Sequence, residues 1–277
     1  MAVLLALSAA ALSGSGDFFG GIASRRGRVM GVVLVNHAVG LVAVLLLAPL
    51  IAGTVDVPTL LWGAVAGLSG AVGVIGLYTG FTRSTMAVVS PIAAVGAGVW
   101  PVVYEIVRGE VPGPVVLIGI VAGLLAIWIL SSTGKISASD DVRTGVLYGL
   151  LAGLGFGMLL IFLSLGSEDS GIWTLVAARV SGLAAMAAVV SMTRTAIPRD
   201  RPTLVPSVWA GLLVTLGNSM FVLAAARGSL AVVSVLAAMF PAATVILAWV
   251  VLHESLTRRR QAGLVLALVA VGLVAGG

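Results

Sequence analysis

The chain contains no cysteine, which excludes disulfides, thiolate metal sites and cysteine nucleophiles. It is also short of charge. Asp, Glu, Lys and Arg make up 9% of its 277 residues, where a soluble domain carries about a quarter. Water cannot be the main solvent for such a surface. No Gly-x-x-x-x-Gly-Lys-Ser/Thr loop is present, so the chain does not itself consume ATP in that way. No His, Asp or Glu cluster has metal-ligand spacing, so neither a metal nor a cofactor is expected. No basic residue precedes the apolar run Met1–Leu12. Arg25, Arg26 and Arg28 follow it instead, an order that does not fit a cleavable signal peptide.

What is present is apolar length. Hydrophobic residues account for 60% and mean hydropathy is +1.20. Runs of about twenty residues match the thickness of a bilayer's hydrocarbon core. They predict an all-α integral membrane protein with ten transmembrane helices, at 2–22, 29–52, 59–82, 85–107, 113–131, 144–166, 171–192, 205–226, 229–252 and 259–276. Glycine, at 36 residues, would weaken soluble helices; in a membrane bundle it lets helices approach closely. The net charge of +5 does not point to nucleic acid, because the basic residues fall in short loops between spans. Odd-numbered loops hold twelve Lys and Arg, even-numbered loops only Arg108 and Arg227. The positive-inside rule then places odd loops in the cytoplasm and both termini outside. The expected location is a bacterial cytoplasmic membrane, crossed many times.

The chain repeats itself. A shift of 144 residues, the difference between Arg227 and Arg83, lays Arg83-Ser-Thr-Met-Ala-Val-Val-Ser90 on Arg227-Gly-Ser-Leu-Ala-Val-Val-Ser234. Ala93-Ala94, Glu110 and Gly119 fall on Ala237-Ala238, Glu254 and Gly263 at the same offset. Two five-helix units are therefore expected, 1–133 and 144–277, joined by a linker at 134–143. An odd number of spans per unit inverts the second copy, the recurrent plan of secondary transporters.

These segments resemble the EamA-type branch of the drug/metabolite transporter superfamily. The better match is the second, from Ala224 through Arg227 and Ser234 to Pro241, then Leu252-His-Glu254 and Gly263. The first half repeats it with Tyr78, Ala87-Val-Val-Ser90, Gly109-Glu110 and Gly119. The sequence departs from that family in having Ser15-Gly16 where Trp-Gly is common, and Pro101 lies four residues beyond the position that Pro241 and the offset predict. The charge bias also reverses the family's common habit of cytoplasmic termini. The resemblance implies an exporter of amino acids or similar small metabolites, working by alternating access and as a monomer or homodimer. It leaves proton coupling open.

Polar residues inside spans are costly and mark a cavity or a buried pair. Asp17 reads as a proton-binding carboxylate or cation contact, or as a helix-end residue pairing with Arg25 or Arg26. Asn36 and His37 read as cavity lining or as interhelical glue. Arg179, the one Lys or Arg clearly within a span, reads as a ligand for a substrate carboxylate or phosphate, or as half of a structural pair. Asn218 lies at similar depth. Trp100 and Tyr104 share a helix face and form either an aromatic cavity wall or an interfacial belt. Pro91, Pro101 and Pro241 lie within spans and can kink them, giving a hinge or a simple packing irregularity. Arg83 and Arg227 read as hairpin anchors beside Glu110 and Glu254, and Glu105 as interfacial. The expected cavity lies between the units, lined by the first, second, fourth, seventh and eighth helices. Two other functions compete. One is a passive channel or a membrane subunit of a larger complex. The other is an intramembrane serine protease using Gly67-Leu-Ser69-Gly70 with His37, although the rhomboid order needs a later His and only His253 follows.

Overall fold

Asp and Pro set where the long helices begin. In the computed structural model, which describes residues 1–51, 53–84, 86–131, 141–243, 246–247 and 258–276, Asp56, Asp141 and Asp200 each accept a hydrogen bond from a backbone N–H three residues on. That satisfies one of the orphan donors at a helix start. Pro58 and Pro202 occupy first-turn positions, where a missing N–H costs nothing. The described residues form ten α-helices: α1 (Ala2–Arg26), α2 (Val29–Leu47), α3 (Val57–Arg83), α4 (Met86–Val107), α5 (Pro114–Ser131), α6 (Val142–Ser164), α7 (Trp173–Thr193), α8 (Arg201–Ala225), α9 (Leu230–Ala237) and α10 (Arg258–Gly276). A 3₁₀ turn at Ala48–Leu50 extends α2.

Among the described residues six helices are long and apolar enough to cross a membrane: α1, α2 with its extension, α3, α6, α7 and α8. The four remaining apolar stretches, Ile92–Val107, Pro114–Ile129, Leu230–Ala243 and Gln261–Val274, are shorter. Helix ends otherwise fall near the expected boundaries. The second unit starts slightly early, since Asp141 caps α6 and Val142 opens it. The rest of the expected linker, with Lys135, lies outside the described residues.

The ninth span differs from a continuous 229–252. Helix α9 stops at Ala237, Ala238 and Met239 form a turn, and helix resumes at 240–243. Pro241 explains this. It has no N–H to give the Ala237 carbonyl, and its ring crowds the preceding turn. The local bonds shorten accordingly, with Met239 N donating to Leu236 O and Ala242 N to Met239 O. By contrast α4 runs without a break through Pro91 and Pro101. The segment Leu252-His253-Glu254 lies outside the described residues.

Small residues decide the packing. Along α1, Ala6, Ala9, Ala10, Gly14, Gly16, Gly20 and Ala23 are buried at helical spacing, and α8 lies against them. Helix α3 packs on α6 and α7, α2 on α7 and α8, α4 on α6 and α9, and α5 on α10.

A polar latch joins the α2–α3 and α6–α7 loops. Asp56 accepts from Thr59 N at 2.8 Å and, at its other oxygen, from Ser167 Oγ. Ser167 N donates to Thr59 Oγ1 at 3.2 Å, and Thr54 N to Asp169 O at 2.8 Å. The Ser167 hydroxyl first, then Thr59, holds the Asp56 carboxyl below the usual carboxylate range. A depressed folded-state value contributes stability above the ordinary carboxylate pKa of about 3.9, lost as pH falls through the lower folded value. The wild-type melting midpoint in detergent should therefore drop by a few degrees more than that of Asp56→Asn on acidification through this window. Parallel pH profiles for the two proteins would show that the latch carries no such linkage.

Candidate functional site

Eight helices line one cavity of about 130 Å³. Ala9, Ser13 and Asp17 face it from α1 at four-residue spacing, which puts them on one helix face. Val214, Gly217, Asn218 and Phe221 do the same from α8 at three- and four-residue spacing. Asn36 and His37 enter from α2, and Leu175, Ala178 and Arg179 from α7. Helix α3 adds Tyr78, α6 adds Phe156 and Leu160, α4 adds Ala97, and the broken end of α9 adds Phe240. The structure thus brings Asp17, Asn36, His37, Arg179 and Asn218 into one lining. The third, sixth and ninth helices join the five that were expected to form it.

Arg179 is 6% exposed, and its Nε and Nη2 have no hydrogen-bond partner. A guanidinium cannot shed its proton to escape this burial, so the charge stays and costs several kcal/mol until something pairs with it. His37 is its neighbour across the α2–α7 contact. The His37 Nδ1 lies 3.1 Å from the Val33 carbonyl oxygen, which can only accept. The proton is therefore assigned to Nδ1, and Nε2 of the neutral ring is left as an acceptor. Two glycines make the room. A Cβ on Gly40 would stand 3.2 Å from Arg179 Cζ and 2.5 Å from Thr215 Oγ1, and one on Gly182 would stand 2.7 Å from the His37 ring. At the other end, Tyr78 is buried within electrostatic range of Asp17, and a Cβ on Gly20 would meet the Tyr78 hydroxyl at 2.5 Å.

Trp100 and Tyr104 stand outside this lining. Trp100 is 39% exposed and packs over Gly157, while Tyr104 Oη accepts from Arg108 Nη1 at 2.8 Å. On α4 the cavity is reached one turn earlier, at Ala97. Glu105, expected at the interface, is buried at 4% exposure and accepts from Ser229 Oγ at 2.7 Å and from Leu230 N. It caps α9 and ties α4 to it. Arg83 donates to Tyr148 Oη, and Arg227 to Leu223 O at the end of α8, while Glu254, one of the acids expected beside them, lies outside the described residues. Ser69 donates to Val65 O at 2.9 Å, within its own helix. Neither it nor His37 forms a nucleophile–base pair with the other.

A second recess, of about 880 Å³, opens on the even-loop side among Thr54, Ser164, Ser167, Asp169, Ser170 and Arg227. Leu163 from this recess and Leu175 and Phe221 from the cavity are fully buried in one apolar cluster.

Residues 143–276 match the model of the EamA-like transporter family. An uncharacterized protein of Methanocaldococcus jannaschii is 24% identical over 131 residues, which is 47% of this chain and 96% of that protein. A solved crystal structure superposes with a TM-score of 0.83 at 13% identity, covering 99% of this chain and 98% of its own. At that identity the likeness concerns the fold alone.

Proposed function

We propose that the chain, whose residues 143–276 match the EamA-like transporter family and whose long helices are apolar enough to cross a membrane, is a multi-pass secondary transporter of the drug/metabolite transporter superfamily, exporting amino acids or similar small metabolites by alternating access. The observation that carries this reading is the cavity. It gathers the sparse intramembrane polar residues of both halves at one depth, on the two halves' common boundary. Asp17, Asn36, His37, Arg179 and Asn218 are its proposed substrate contacts, with Tyr78 added. Asp17 beside Tyr78 is the place for a coupling proton. The bilayer proposed is a bacterial cytoplasmic membrane, with odd loops inside.

Two inverted five-helix units are part of this proposal. The packing supports them. Exchanging the halves turns α1 on α8 into α6 on α3, and α2 on α8 into α7 on α3; α2 on α7 and α5 on α10 map onto themselves. The glycines follow the same exchange. Gly67 meets α7 at Ala178 and Ser181, while Gly211, 144 residues on, meets α2 at Asn36 and Val39. Gly73 meets α6 at Phe156, and Gly217 meets α1 at Ala9 and Ser13. The archaeal relative, about one half in length, suits a unit that can stand as its own chain. The break before Pro241 lies in the cavity wall and offers a place to bend.

Transport by the purified protein in liposomes, across an amino-acid panel and with or without a proton gradient, tests the reading. Saturable flux with counterflow is expected. Non-saturating conductance would indicate a channel instead.

A further inference from the structure

We propose that the Arg179 end of the cavity is a carboxylate subsite, so that the transported solute is a small monocarboxylate-bearing molecule with an apolar body; this rests on the transporter reading above. The two unpartnered atoms, Nε and Nη2, lie on one edge of the guanidinium. That edge presents two parallel N–H donors at the spacing of a carboxylate's two oxygens. Among the described residues no side chain or carbonyl partners it. Asp17 is the acid in the described lining, yet neither of these two Arg179 atoms bonds to it. The nearby Thr215 Oγ1 donates to Gly211 O and accepts from neither of these two atoms.

The remaining wall defines the rest of the solute. Phe156, Leu159, Leu160 and Phe221 offer apolar contact, and the amides of Asn36 and Asn218 are the neutral polar groups. The volume, about 130 Å³, is close to the roughly 150 Å³ that admits benzene in an engineered cavity. Among the described lining residues Arg179 is the one Lys or Arg, which suits a single negative charge better than a phosphate dianion. Gly40 lets α2 lie close beside the guanidinium, since a Cβ there would stand 3.2 Å from Arg179 Cζ and 2.5 Å from Thr215 Oγ1.

The test is binding by the full-length protein in detergent, read by titration calorimetry and by ligand-induced shift of the melting midpoint. The probes are straight and branched monocarboxylates from propionate to 3-phenylpropionate, leucine among them, each beside its own amide. At least one acid should bind about tenfold or more tightly than its amide. Arg179→Gln should erase that preference while the unliganded protein stays monodisperse, and Arg179→Lys should restore part of it by returning the charge without the fork. No acid surpassing its amide, or an unchanged preference in Arg179→Gln, overturns the subsite. Liposome flux separates the two proposals. Transport of amines or amides without acid preference defeats the subsite and leaves the transporter standing. Acid binding without flux of any solute does the reverse.

Discussion

Gly67→Ala should destabilise the folded bundle by about 3 kcal/mol, although it adds one methyl group to a helix that would otherwise favour it. The methyl carbon would stand 2.0 Å from the Ala178 carbonyl oxygen and 2.1 Å from Ser181 Oγ. Backbone cannot swing aside as a side-chain tip can. Relief requires α3 to part from α7, and the Ser181 bond to Ala64 O, 2.9 Å long, parts with it. Helices in lipid are held by close packing of this kind, with no hydrophobic effect to compensate for lost contact. Gly21→Ala is the control. Nothing lies within 4 Å of where its methyl carbon would stand, so only helix propensity acts, a gain of up to about 1 kcal/mol. Gly211→Ala, at 2.6 Å from the Asn36 carbonyl oxygen, should share the sign of Gly67→Ala. Denaturant unfolding of the detergent-solubilised variants measures all three. Equal midpoints for Gly67→Ala and Gly21→Ala would mean that α3 and α7 do not meet this closely.

The sequence makes some of this legible and hides the rest, for physical reasons. Asp17, Asn36, His37, Arg179 and Asn218 stand out because an apolar solvent gives each polar group few places to be, and one cavity receives them all. Trp100 and Tyr104 show the limit. Spacing of four residues fixes a common face but not the direction in which the helix turns that face. Glu105 shows another, since its role depends on the start of α9 arriving beside it from 124 residues away. Gly40 carries no signal at all. Among many glycines, the one that admits a guanidinium is recognised only once α2 and α7 are placed together. Pro241 could be read as a kink from chemistry alone, and the helix does break just before it. Pro101, chemically identical, lies in an unbroken α4.

The absence of cysteine makes the central mechanical claim directly testable. Alternating access requires the even-loop side to open once per cycle, which means unfastening the latch that joins the α2–α3 and α6–α7 loops there. The latch segment at Thr54 donates from its backbone to Asp169 O at 2.8 Å, which brings the two residues together across the halves and makes them the pair to cross-link. In Thr54→Cys/Asp169→Cys, oxidation should cut flux to below about a tenth of the reduced rate, and reductant should restore it. Each single variant should be indifferent to oxidant, since no other thiol exists to pair with. Thiol titration reports whether the bond has formed. If the cross-linked protein carries solute at the reduced rate, the even-loop side does not move during transport, and the latch is a fixed tie instead of a gate.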